Sequence, residues 1–348
     1  MNISRFHNME KLDFDVEFLT PTFLGGADQD AELRSPPFKN LIRQWWRILN
    51  GGSTVEKLRE TENSLFGSVL EKKAAASKVR ITITPGDNFK LSEDNLDFGS
   101  TKHPEVNASS IRNDLYLGYG PITFKKGITT TKTYIAPDSH AKLSISLPKK
   151  HREQIIRIIQ MIDAFGTIGS RNRNGYGSLA VSSADMKRLA PETVISSPWT
   201  TLLADKQYPH GFGKDGKGLL LWESGKHDKW QNAMQQLATT YLNTRVGINI
   251  KGNANQLHER HLLGFPVTNH KNITDPKTNW GSNDRMPSQL RLMVKRNTNN
   301  QLVARIFHLP HKLPKTWPTE LATEQTIWRQ VHGYLDEQKE FHRTGGGA

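Results

Sequence analysis

LDFDVEFLTPTFLGGADQDAELRSPPFKNLIRQWWRILNGG, residues 12–52, carries the first decision about the fold. Leu12, Phe14, Val16 and Phe18 alternate with polar residues, the period of a half-buried strand running Leu12 to Leu24. Thr20 and Pro21 break its ladder, and Gly25-Gly26 ends it. After a loop, Ser35 reads as a helix N-cap, with Pro36 in the first turn, where a missing N–H costs nothing. Phe38, Leu41, Ile42, Trp45 and Leu49 then recur at helical spacing, and Gly51-Gly52 stops the helix. Its other face carries Lys39, Arg43 and Arg47, four residues apart and so in one stripe, with Trp46 beside it. Like charges so spaced repel, and an anion lying along the stripe would relieve them. A solvated helix face is the plain alternative.

Working outward, Val79 to Thr84 reads as a second strand and Tyr134 to Leu147 as a third. Lys149 to Phe165 reads as a helix whose Ile155, Ile158, Ile159, Ile162 and Phe165 form a wide apolar stripe, made to pack on a sheet. A short strand follows at Leu179 to Val181. The order β-α-β-β-α-β predicts a ferredoxin-like unit complete by about residue 185. The second half repeats the order: a strand at 219–222, a helix at 227–242, strands at 290–294 and 302–309, and a helix from Glu320 to about Phe341. The predicted fold class is therefore α+β: two ferredoxin-like domains with long insertions. Residues 1–190 form the first, with a basic insertion at 86–133 and a glycine-rich loop at 166–178. Residues 191–198 are a linker, 199–341 the second domain, and 342–348 a disordered tail.

The chain has 348 residues, 47 Lys+Arg against 34 Asp+Glu, and a formal net charge of +13. The excess is local. Residues 1–100 carry 13 basic and 15 acidic side chains, whereas 101–150 and 251–300 each carry 8 and 3. Those two stretches lie in the insertions of the two halves and interleave cations with aromatics, Gly and Asn, which favours a folded polyanion-binding surface over a solvated arm. In the first insertion Tyr116, Tyr119 and Phe124 precede Lys125-Lys126, a composition suited to stacking on bases with phosphate contacts. An ordinary hairpin with its aromatics packed on the body fits equally.

Other chemistries fail on residue type or spacing. Absence of cysteine rules out disulfides, a thiol nucleophile and thiolate metal sites. His258 and His261 stand three apart, not the four a helical zinc motif needs, and Pro310 bars a helix between His308 and His311. No G-x-S-x-G elbow or Walker loop is present. Asp28, Asp30 and Glu32 could assist catalysis but more simply solvate a turn. Neither a catalytic group nor a metal or other cofactor is expected. No 18-residue apolar run and no signal-peptide h-region occurs, so a cytoplasmic protein is expected.

The loop GTIGSRNRNGYGS, residues 166–178, sets Gly166, Gly169, Gly175 and Gly177 around Arg171 and Arg173. Glycines let a backbone approach a ligand and adopt positive φ, and arginines present planar donors to phosphate. The loop runs from helix to strand, the reverse of a nucleotide-binding phosphate loop.

Together, LTPTFLGGADQDAELRSPPFKNLIRQWWRILNG (19–51), YLGYGPI (116–122), GTIGSRNRNGYGSL (166–179), HLLGFPV (261–267) and RMPSQLRLMVKR (285–296) resemble the RAMP superfamily. Within it they are most similar to the first-named subunit family of the type III-B CRISPR (Cmr) effector complex. The resemblance touches both halves of the chain. It implies two ferredoxin-like domains in a ribonucleoprotein that uses a guide RNA to recognise complementary RNA. It further implies a place near the guide's 3′ end, beside the repeating backbone subunit and another RAMP subunit, with target cleavage left to the backbone subunit. Carried over by position, Lys39, Arg43 and Arg47 of the helix and Arg171 and Arg173 of the loop are the expected RNA contacts. Trp46, Lys125, Lys126, the loop glycines Gly169, Gly175 and Gly177, and Arg260 and Arg285 of the second half complete the set. This loop is rich in Asn where relatives commonly have more Arg. The competing expectation is a RAMP endoribonuclease that processes CRISPR RNA, with a histidine such as His140 or His151 as general base near the loop.

Overall fold

In the computed structural model the described residues are 8–26, 28, 30–70, 73–103, 110–190, 193–205, 209–248, 258–265, 284–314, 317 and 319–344. The chain divides into two units, each discontinuous in sequence. The first comprises Met1–Leu96, Gly118–Thr193 and Met293–Leu302; the second comprises Asp97–Leu117, Val194–Leu292 and Val303–Ala348.

The first unit opens with β1 (Met9–Phe18), whose Leu12, Phe14, Val16 and Phe18 are buried as the alternation requires. The ladder stops at Phe18 rather than Leu24, because Pro21 has no N–H to give; Thr22, Phe23 and Gly25 form only isolated bridges. Helix α1 (Ser35–Leu49) is preceded by Arg34 as N-cap, so Ser35 is its first residue and supplies no capping bond. Prolines in the first turn preset it instead. Helix α2 (Val55–Phe66), unannounced by any long apolar stripe, is capped by Thr54, whose hydroxyl accepts the Lys57 N–H. There follow β2 (Arg80–Pro85), a hairpin of β3 (Ile122–Lys125) and β4 (Ile128–Thr131), and β5 (His140–Pro148). Helix α3 (Arg152–Phe165) and β6 (Leu179–Ser182) complete the unit.

β1 pairs antiparallel with β5 and β6, and β5 with β2, giving the sheet order β6-β1-β5-β2. Numbered by sequence among themselves, these strands run 4-1-3-2, the ferredoxin-like order. Trp45 of α1 meets Phe165 of α3 with ring centroids 6.0 Å apart. The Ile155, Ile158, Ile159 and Ile162 stripe of α3 is buried as expected.

The second unit contains β7 (Leu221–His227), α4 (Trp230–Gly247), the start of β8 (Leu290–Arg296), β9 (Leu302–His308) from Val303, α5 (Leu321–Asp336) and β10 (Phe341–Arg343), the chain from Met293 to Leu302 being counted with the first unit. Its sheet order, β8-β9-β7-β10, is the same 4-1-3-2 pattern read from the other end. The last helix stops at Asp336, short of Phe341. His342 and Arg343, expected in the tail, lie in strand β10, where Trp222 pairs with Arg343 and Ser224 with Phe341. A short β-segment gains stability from the ladder it completes, a signal that helical periodicity does not carry. Ser196–Pro198, inside the stretch read as linker, is likewise a strand, parallel to Phe212–Lys214. Linker residues 191–192, tail residues 345–348, and residues 251–257 and 266–283 of the basic 251–300 stretch lie outside the described residues.

The core of this unit holds a polar chain. His332 Nε2 lies 2.9 Å from His308 Nδ1, and His308 Nε2 lies 3.0 Å from Gln289 Oε1. Gln289 Nε2 donates to Glu324 at 3.1 Å, and Trp328 stacks on His308 at 4.0 Å. Both ring nitrogens of His308 are thus engaged inside the core.

Candidate nucleic-acid interface

The glycine-rich loop belongs to the first unit and is held by the break at the end of β1. Leu19 N–H donates to Ser178 O (2.9 Å), Gly177 N–H to Pro21 O (3.0 Å) and Ser170 N–H to Phe23 O (2.8 Å). Thr20 Oγ1 donates to Gly175 O at 2.8 Å and accepts from Ser178 N–H at 3.0 Å. The residues that ended the strand therefore serve as the loop's seat. Two glycines are obligatory there. Gly169 (φ 88°) would drive a Cβ to 2.5 Å from Phe23 O, and Gly177 (φ 66°) would drive one into Ile168 O. Tyr176, fully buried, packs at 5.3 Å from Phe23 beneath the loop.

The loop's arginines differ. Arg171 is exposed and takes φ 56°, the left-handed region. Its guanidinium lies over Gly120, where an added Cβ would come 3.3 Å from Nη2. Arg173 is half-buried, and desolvation pulls its guanidinium below the ordinary arginine range.

Gly120 is the root of the β3–β4 hairpin, so the loop and the hairpin are neighbours. Lys126 (φ 50°) and Gly127 (φ 82°) form the two-residue turn, with positive φ at both positions as a type I′ hairpin requires. The segment is thus a hairpin, but its large apolar side chains do not fold back on the body: Phe124 is 55% exposed, Ile128 67% and neighbouring Tyr119 50%. Lys125 and Lys126 are exposed between them. Tyr116 is elsewhere, in the second unit, 6.1 Å from Tyr241.

The basic stripe of α1 requires correction. The stripe's repulsion is relieved within the protein, because α2 supplies a carboxylate to two of the three cations. Glu62 accepts Arg43 Nε at 2.6 Å, Arg47 Nη2 at 2.6 Å and Arg47 Nε at 2.8 Å. Burial pushes the Glu62 carboxyl up, and the Arg47 and Arg43 guanidinium groups outweigh it, leaving it below the usual range. Among the described residues only Lys39 of the three has no ion-pair partner. Partial burial, then the Arg43 charge, lowers its ammonium pKa. Trp46 is 1% exposed, set edge-to-face on Phe66 of α2 at 6.1 Å, so its ring offers no stacking face. Both differences have one cause: α2 covers this side of α1.

Arg260 and Arg285 lie in the second unit. Arg260 is half-buried in the single 3₁₀ turn Glu259–Leu263, and Arg285 is exposed, donating to Asp284 O at 2.8 Å. Of the two histidines considered as bases, His140 pairs with Glu17 at the loop end of β1 and is exposed; His151 follows β5 at the opposite end. Among the described residues no three His, Asp or Glu side chains converge as metal ligands, and no helix is long and apolar enough to cross a membrane.

Residues 15–180 match the RAMP superfamily. The chain is 28% identical over 186 residues to CRISPR system Cmr subunit Cmr1-1 of Pyrococcus furiosus, covering 51% of this chain and 49% of that protein. It is 30% identical over 177 residues to Cmr1-2 of the same organism, 48% of this chain and 93% of the relative. The matched stretch thus spans about half the length of the first relative and nearly all of the second. The fold is similar to the crystal structure of Cmr1 from Pyrococcus furiosus in its apo form, with a TM-score of 0.50 and 17% identity, over 93% of this chain and 96% of that one. The double β-α-β-β-α-β order, the loop seated on the broken end of β1, and these matches agree: the chain belongs to the RAMP superfamily and is homologous to the Cmr1 subunits of Cmr CRISPR systems.

Proposed function

We propose that the chain is a non-catalytic RNA-binding subunit of a type III-B CRISPR ribonucleoprotein. In this reading it sits near the 3′ end of the guide and contributes to assembly and to capture of target RNA. Its partners are then the guide RNA, the target RNA or both, together with other RAMP subunits including the repeating backbone subunit. The observation that carries the reading is a preformed loop presenting Arg171 and Arg173 next to a hairpin with exposed Tyr119, Phe124, Lys125 and Lys126. Cations fixed on a rigid loop suit phosphate, and exposed rings beside them suit unstacked bases. An RNA-guided assembly leaves sequence choice to base pairing, so its subunits need only grip backbone and shape. The homologous relatives are named as subunits of a Cmr CRISPR system.

The test is RNA binding across a salt series. Each phosphate contact contributes about −0.7 to the slope of log K against log salt for a single strand. Arg171→Ala with Arg173→Ala should therefore weaken binding and flatten the slope by about 1.4. An unchanged affinity and slope would remove the loop from the interface.

A further inference from the structure

Lys295, in the Met293–Leu302 segment of the first unit, is fully buried. Its ammonium donates to three backbone carbonyls: Ile162 O at 3.0 Å, Gly166 O at 2.7 Å and Leu179 O at 2.6 Å. Three carbonyls match the three donors of an ammonium. Ile162 O, which also accepts the Gly166 N–H at 2.7 Å, and Gly166 O lie at the C-terminal end of α3, where the helix dipole favours a cation. Leu179 is the first residue of β6.

Gly166 opens the glycine-rich loop, and Leu179 directly follows its last residue. One side chain, more than a hundred residues further along the chain, thus joins both stems. The neighbouring residue adds a second tie: Val294 N–H donates to Ser178 Oγ at 3.0 Å, and Ser178 Oγ donates to Gly175 O at 2.8 Å.

We propose that Lys295 is a positioning residue for RNA binding: its ammonium closes the base of the 166–178 loop and fixes where Arg171 and Arg173 stand, without touching RNA itself. This rests on the RNA-binding reading above. A loop held in its binding shape before the ligand arrives loses less freedom on binding. A role of this kind changes affinity but not the number of phosphates contacted, so it separates from a contact residue in the salt slope.

The test uses the full chain and a fluorescein-labelled single-stranded RNA. Lys295→Met removes the ammonium. Ser178→Ala removes only the second tie and serves as the decisive variant should Lys295→Met fail to fold. Both should speed hydrogen exchange of the amides in 166–179 and weaken RNA binding by about tenfold, with the salt slope unchanged. The Arg171→Ala, Arg173→Ala variant should do the reverse, flattening the slope and leaving loop exchange as it was. If the double arginine variant weakens binding while the tie variants bind normally, or exchange at their parental rate, the positioning role is overturned and the RNA reading stands. If the arginine variant binds as the parent does, the RNA reading fails and the proposal falls with it.

Discussion

Glu62 is the residue that most changes the meaning of its neighbours. Its buried carboxylate holds Arg43 and Arg47 as a fixed pair on α1. Two charge-assisted hydrogen-bond partners of this kind make Glu62→Gln destabilising by about 2 kcal/mol. The same change frees two guanidinium groups, so RNA affinity should rise if α1 faces the ligand. The pH dependence follows from the direction of the shift. The folded-state pKa is lowered, so the pair's contribution is present above the ordinary carboxylate range and is lost as pH falls through the lowered value. Denaturation of parent and Glu62→Gln should therefore differ near neutrality and converge in acid. Curves that stay parallel throughout would show that the ion pair is not what Glu62 contributes.

At the scale of elements, the β3–β4 hairpin carries the clearest expectation. Phe124 and Ile128 sit on opposite faces of a two-stranded ribbon, since Phe124 pairs with Thr129 and Lys125 with Ile128. Base–aromatic stacking contributes about 1–3 kcal/mol per base, so Phe124→Ala should lower RNA affinity by that amount and barely move the salt slope. Thermal stability should change by less than about 0.5 kcal/mol, because the ring is exposed; a large stability loss would instead mean that Phe124 packs on the body. The hairpin also shows what was legible in the sequence. The positive-φ glycines, the i, i+4 cation stripe and the isoleucine face of α3 are local patterns, and all three were readable. Glu62 was not, because α2 offers only Leu58, Leu65 and Phe66 as a buried apolar face, and the carboxylate reaches α1 from another helix. Trp46 was misread for the same reason. Lys295 was beyond reach altogether, since no spacing rule relates it to residues 116 to 133 positions away.

Across the whole molecule, two ferredoxin-like units share one strand order yet differ in what their interiors tolerate. The second buries Glu324, His308 and His332 in one connected chain. Burial pushes Glu324 up to about 7 and His332 down to about 3. A raised carboxyl favours the folded state only while protonated, so its contribution declines as pH climbs from about 4.5 to about 7. A lowered histidine acts oppositely, with stability falling as pH drops below about 6.5. Glu324→Gln should thus raise the denaturation midpoint at pH 8 and lose that advantage below about pH 4.5, whereas an equal gain at both ends would point to packing rather than charge. The first unit has a different peculiarity: residues 293–302 belong to it although some hundred residues of the other unit precede them. During translation, Arg171 and Arg173 emerge long before the lysine that closes their loop. A nascent or prematurely terminated chain ending before residue 293 carries the arginines but not the side chain that ties the two stems of their loop.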